Sequence, residues 1–216
     1  MLHVGLTGGI ACGKSTIAKM LEAKGAYLFD LDVLTHFVEE PDRVAWKGIV
    51  EHFGPGILNE DRTINRARLG AIVFADRDQL EQLNRIVHPA VYDEWYRLVK
   101  EIYRKDPRAV VLSDVPLLIE QDLKSVFDVI AVVYISPDEQ VERLIFRNRF
   151  NREEAETRVA SQMSIDEKVR HADIVINNQG SVEDAQKTID VLWQKLLEME
   201  KQKHRKSPVP VGRGKA

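Results

Sequence analysis

Cysteine is almost missing from this chain: Cys12 is the only one in 216 residues. No disulfide can form within it, and a reducing compartment suits it. Long apolar runs are missing too, since none approaches the roughly 18 residues that a membrane-crossing helix needs. The N-terminus lacks the basic flank and small-residue cleavage site of a secretory signal. A cytoplasmic location is therefore expected. Charge of one sign is scarce as well: 31 Lys and Arg stand against 34 Asp and Glu, a net of −3. Such a balance implies no general attraction to nucleic acid. The exception is the final stretch "KQKHRKSPVPVGRGKA", which carries Lys201, Lys203, Arg205, Lys206, Arg213 and Lys215 and no acid. Its composition predicts a disordered, solvated tail over 201–216.

The remainder is ordinary for a globular protein, with 44% hydrophobic and 30% charged residues. Its length suits one domain with inserted subdomains. Short apolar runs alternate with longer helical ones. Strands are expected at Leu2–Leu6, Ala26–Asp30, Ala109–Asp114, Val129–Ile135 and Asp173–Asn177. Near-continuous apolar strands separated by helices predict an α/β fold whose five-stranded parallel sheet is covered on both faces. Helix starts are signalled by "SPDE" at Ser136, "NREE" at Asn151, "SIDE" at Ser164 and "SVED" at Ser181. Each places a capping side chain before an acidic first turn. Helices are thus expected near 137–149, 152–162, 165–171 and 182–203. Two helical inserts interrupt the strands, one between the second and third and one between the fourth and fifth. Such inserts suit a second substrate and a moving lid.

Between the first strand and the first helix lies Gly8-Gly9-Ile10-Ala11-Cys12-Gly13-Lys14-Ser15, which fits G-x-x-x-x-G-K-[ST] in its proper strand–loop–helix setting. Glycines let backbone N–H groups turn inward around phosphate oxygens. Lys14 can reach the terminal phosphates, Ser15 can coordinate Mg²⁺, and Thr16 can meet the α-phosphate. The helix that follows points its positive end at the anion. Gly9, Ala11, Cys12, Gly13, Lys14, Ser15 and Thr16 are the candidate nucleotide-binding residues.

A GTPase would continue with N-K-x-D and D-x-x-G, and a transporter ATPase with Leu-Ser-Gly-Gly-Gln; the chain contains none of these. It has instead "FDLD" at the end of the second strand. Asp30 and Asp32 are two apart, so both can face one side of an extended segment. One of them could accept the proton of an attacking hydroxyl; alternatively, Asp32 caps the helix that follows. Arg143 and Arg147 are four apart and share a helix face, where they suit the charge of a transferring phosphoryl group. Asp114 ends the third strand, where it could hold Mg²⁺ through water or bond to Ser15 or nearby backbone.

In order along the chain, "LTGGIACGKST", "FDLDVL", "RARLGAIVF", "RIVHPAV", "DVPLLIE", "YISPDEQVERLIFRNRFNREEAETRVASQ" and "ADIVINNQG" resemble the pattern of dephospho-coenzyme A kinases. The resemblance runs from about Leu2 to about Leu197. It implies a three-layer P-loop kinase fold over 1–200: a core of 1–31, 106–135 and 172–200, a helical acceptor-binding insert at 32–105 and a lid at 136–171. It also implies that ATP, with Mg²⁺, phosphorylates the 3′-hydroxyl of dephospho-CoA. By motif position Asp32 matches the family's base, Lys14 and Ser15 its phosphate and Mg²⁺ residues, and Arg143 and Arg147 its lid arginines. Asn178 matches the segment near adenine, and Arg66 and His88 match acceptor-side positions. His88 precedes Pro89 and could instead mark a helix break. The chain departs from the family at Ala11-Cys12 (usually Gly-Ser), Leu31 (usually Ala), Asn177 (usually Asp) and Gln179 (usually Asn).

The implied partner is dephospho-CoA as a small-molecule substrate, with no membrane and no nucleic acid; oligomeric state has no signal. Two other readings stay open: another small-molecule P-loop kinase, acting on a nucleoside monophosphate or a sugar, and a non-catalytic nucleotide-binding regulator with a basic tail.

Overall fold

Seven successive buried residues make β1 (Leu2–Gly8) the centre of the molecule's sheet. The computed structural model describes residues 1–206. The other strands are β2 (Tyr27–Asp30), β3 (Val110–Asp114), β4 (Val129–Tyr134) and β5 (Ile174–Asn177), in the order β2-β3-β1-β4-β5. The sheet is parallel, with β1 paired to β3 and β4 and β4 to β5. In that register Leu6 lies opposite Asp114 and Gly8 opposite Val133. The carboxyl end of β1 therefore opens onto the same sheet edge as Asp114, the edge where α/β proteins hold ligands.

Helices α1 (Lys14–Ala23) and α9 (Val182–Lys206) supply the apolar residues that pack on the sheet. Ile17, Ala18 and Leu21 of α1 and Ala185, Ile189, Leu192 and Leu196 of α9 join the core of β1, β3, β4 and β5. Their three- and four-residue spacing is the helical stripe that the sequence pattern demands. Between β4 and β5 come α6 (Pro137–Asn148), α7 (Arg152–Ala160) and α8 (Ile165–Val169). They begin at the expected caps: Ser136, Asn151 and Ser164 each accept the N–H three residues on. Val141, Leu144 and Ala155 form a separate small core there, against which Ile10 and Ala11 pack.

The chain divides into two compact units, one of residues 1–29 together with the chain from 102 onward, the other of residues 30–101. The second is helical: α2 (Leu31–Val38), α3 (Val44–Phe53), α4 (Arg66–Ala75) and most of α5 (Arg77–Lys105). Within it, the large side chains of Trp95 and Ile49 are fully buried.

Three expectations change. The helix does not break at His88, because α5 runs through Pro89. Val87, Val91, Trp95 and Val99 are buried at helical spacing around it, and their packing outweighs the roughly 3 kcal/mol that an interior proline costs. Residues 201–206 are not a disordered tail but the last turns of α9, where Lys203 bonds to Asp128 at 2.5 Å. The rest of that predicted tail, 207–216, lies outside the described residues. Finally, Asp32 is not on an extended segment; β2 stops at Asp30 and Asp32 lies in the first turn of α2.

Candidate active site

The loop Gly8–Ser15 bends around a cavity of about 230 Å³, completed by Pro116, Arg147 and Gln162. Three contacts explain the small residues. A Cβ on Gly8 would stand 2.7 Å from the carbonyl of Val133 on β4, and one on Gly9 would collide with the side-chain amide of Gln140. Gly13 has φ +82°, and its Cβ would collide with the amide of Asn178. Ala11 also takes a left-handed backbone, with φ +61°. An L-residue pays roughly 1–2 kcal/mol there, so the Ala in place of the family's usual glycine carries local strain. Thr16 and Ile17 both donate their N–H groups to the carbonyl of Gly13, closing the first turn of α1. The N-terminal N–H groups of this helix face an anion-sized space.

Lys14 reaches across to β3, where its ammonium bonds to the buried carboxylate of Asp114. Asp114 thus holds the loop lysine, a partner that the sequence reading did not assign to it. Ser15 lines the cavity and Thr16 is exposed beside it on α1. Cys12 is buried, and burial pushes its thiol pKa up. It is a packing residue and not a reactive thiol. Among the described residues, no cluster of three or more His, Cys, Asp or Glu could hold a metal. A hydroxyl and a carboxylate, here Ser15 and Asp114, are nevertheless the hard oxygen donors that Mg²⁺ takes beside phosphates.

The two arginines expected in the lid are placed differently. Arg147 lines the glycine-loop cavity and also an adjoining one of about 540 Å³, which Ala11, Glu139, Glu142, Arg143 and Phe146 complete. Arg143 lines only the second, bonding to Glu139 at 2.6 Å and to the carbonyl of Asn178 at 2.8 Å. The Asn178 side chain in turn donates to the carbonyl of Cys12 at 2.8 Å. Asn178 is therefore a latch on the phosphate loop.

In the helical unit, Asp30 and not Asp32 caps α2, accepting the N–H groups of Asp32 and Val33. That leaves the exposed carboxylate of Asp32 without a capping duty. His36 lies four residues further along the same face of α2. Arg66, at the start of α4, bonds to His36 and to the buried carboxylate of Glu39 at 2.7 Å. His88 is half-buried beside Tyr92, with ring centres 6.0 Å apart. Burial lowers its pKa, which favours a neutral imidazole. Neither Arg66 nor His88 lines a cavity of about 450 Å³ in this unit, which lies between Phe37, Arg43, Ala90 and Arg97.

With this geometry in place, similarity decides among P-loop kinases. The family model described as dephospho-CoA kinase matches residues 2–184. The chain belongs to the dephospho-CoA kinase family. A dephospho-CoA kinase of Syntrophus aciditrophicus is 58% identical over 201 residues, covering 93% of this chain and 86% of the relative. One of Bacillus cereus is 46% identical over 179 residues, 83% of this chain and 89% of the relative. Among solved structures, TT1252 from Thermus thermophilus superposes with a TM-score of 0.73 at 30% identity, covering 90% of this chain and 97% of its own. Membership makes this chain a kinase that phosphorylates dephospho-CoA in coenzyme A synthesis. The alternative kinase readings and the non-catalytic regulator are not favoured.

Three residues that support the site escaped the sequence reading: Gln140, Gln162 and Lys168. Gln140 and Gln162 both bond to Ile10. The Lys168 side chain is wholly buried on α8, where it pairs with Glu120 at 2.7 Å and donates to the carbonyl of Pro116 at 3.2 Å. Both Gln162 and Glu120 sat in the motifs "RVASQ" and "DVPLLIE", which signalled the family and not the role.

Proposed function

We propose that the enzyme transfers the γ-phosphoryl group of ATP to the 3′-hydroxyl of the ribose in dephospho-CoA, with Asp32 as base. The hydroxyl oxygen bonds to the γ-phosphorus, its proton passes to the Asp32 carboxylate, and the bond from phosphorus to the oxygen bridging to ADP breaks. The observation that carries the phosphate end is the lysine held at the mouth of a glycine loop: Lys14 meets Asp114 beside the cavity that Gly8–Ser15 surrounds. ATP phosphates compete with Asp114 for that ammonium. Arg147 adds positive charge to the transferring group, which spreads negative charge over its equatorial oxygens. Arg143 and Asn178 support the adenine side, and Arg66 and His88 the acceptor side.

Ser15 and Asp114 would hold Mg²⁺, which when bound neutralises charge on the β- and γ-phosphates. Asp114 would thus be a partner for both the lysine and the ion. A cytoplasmic location is part of this proposal, supported by a lone thiol that is buried and by ATP as donor.

The test is ADP release with dephospho-CoA, AMP, adenosine and gluconate as acceptors, with the product phosphate located. Dephospho-CoA should be strongly preferred and the new phosphate should sit at the 3′ position. Equal or faster turnover with AMP or gluconate would overturn the assignment.

A further inference from the structure

Ile10 lies in the middle of the phosphate loop, yet its contacts come from the 136–171 segment. Its N–H donates to Oε1 of Gln162 at 2.9 Å. Its carbonyl accepts from Nε2 of Gln140 at 3.1 Å. The two amides are oriented unambiguously, because a backbone N–H only donates and a carbonyl only accepts. Its side chain packs on the small core of Val141, Leu144 and Ala155. Gln140 is buried, so its amide has few other partners to turn to, and its Nε2 fills the space where a Gly9 side chain would stand. Gln162 follows α7, is half-buried and lines the phosphate cavity beside Arg147. One loop residue is thus gripped at N–H, carbonyl and side chain by the segment that carries the arginines.

We propose that Gln140 and Gln162 are positioning residues for phosphoryl transfer: by holding Ile10 from both sides they keep the phosphate loop and the 136–171 segment in one register. The loop sets the phosphates and the segment brings Arg147, so a shared register makes phosphate engagement and arginine approach a single event. It also keeps water out of the cavity, and water is the competing acceptor of the γ-phosphoryl group. The inference rests on reading that cavity as the phosphate site.

The test uses Gln162→Met, Gln140→Met and the double variant of the full chain. Methionine keeps the length of each side chain and removes its hydrogen bond. Two rates are measured for each protein: phosphorylation of dephospho-CoA, and ATP hydrolysis without an acceptor. Misplacement of an ångström near a reacting centre costs on the order of 10²-fold, so a partly loosened loop should lose about tenfold in transfer. Hydrolysis should fall much less or rise, raising the ratio of hydrolysis to transfer about tenfold in each single variant. The double variant should fall short of the product of the two effects, because both act on Ile10. Thermal unfolding accompanies each measurement, and Gln162→Met, at a half-exposed turn, keeps the test open should Gln140→Met fold poorly. An unchanged ratio, with both rates falling together or neither falling, overturns the proposal, since a merely structural role scales both rates with the folded fraction. Wild-type protein inactive on dephospho-CoA would instead overturn the functional reading beneath it.

Discussion

Asp30 and Asp32 carry the same group two residues apart and have separate work. Asp30 accepts two N–H groups at the start of α2, whereas Asp32 is exposed in the first helical turn. Asp32→Asn keeps shape and removes the proposed base, so turnover should fall by roughly 10²-fold or more while ATP affinity is kept. Asp30→Ala should instead cost about 1 kcal/mol of stability through the lost cap. Steady-state kinetics beside urea unfolding separates the two, and near-normal turnover in Asp32→Asn would end the base assignment. A third residue bears on pH. His3 of β1 lies with Nε2 3.0 Å from the Ser113 hydroxyl and its ring edge-on to Phe127. Burial lowers its pKa from 6.5 to about 4, with Lys203 adding to the drop and Asp128 opposing it. Between those values the unfolded chain binds the proton and the folded one does not, so acid favours unfolding. The stability is present above pH 6.5 and declines as pH falls toward 4. From about pH 7 to about pH 5 the wild type should lose about 2 kcal/mol more than His3→Gln. Parallel losses in the two proteins would remove His3 from the pH response.

At the scale of elements, what could be read in advance divides along a physical line. Strands and capped helices depend on residues close in sequence. The expected strand positions therefore match the five observed within a few residues, and the Ser136, Asn151 and Ser164 caps hold. The glycine loop was legible for the same reason. Where a distant partner decides, local pattern misleads. Residues 201–206 looked too basic to order, but Asp128 receives Lys203 there, and Glu200 just before them is buried against Arg108 at 3.3 Å. For Asp114 the local pattern offered Mg²⁺, Ser15 or nearby backbone and was silent on Lys14, which lies a hundred positions away in the chain. Lys168 gave no signal, because a lysine is almost never fully buried unless paired. Its pairing gives α8, a helix of only five residues, a fixed anchor on the segment after β3. Breaking such a pair leaves a charge in poor solvent, so Lys168→Ala should cost about 3–5 kcal/mol. Adding Glu120→Gln should recover part of that loss. Urea unfolding measures both, and a cost under about 1 kcal/mol would mean that solvent already relieves the pair.

At the scale of the whole molecule, the residues proposed for the chemistry fall in both compact units. The phosphate loop, Lys14, Asp114, Asn178, both arginines and the two glutamines belong to the unit that contains the sheet; Asp32, Arg66 and His88 belong to the helical one. A kinase with two substrates gains from such a division, because each unit can be ordered by its own ligand and transfer awaits both. Ligand at a hundred times its Kd stabilises the state it binds by about 2.7 kcal/mol, on the order of a hundredfold slower exchange for amides exposed by opening of that unit. Hydrogen exchange should therefore show ATP protecting the amides of Gly9–Thr16 and of α6, with little change in α3 and α4. Dephospho-CoA alone should protect α2 and the early turns of α4 and leave the phosphate loop exchanging as before. Lys14→Ala should abolish the first pattern and keep the second. Protection by dephospho-CoA confined to the sheet unit would remove Asp32 and Arg66 from the acceptor site, and the base would then have to be sought among the carboxylates near β3.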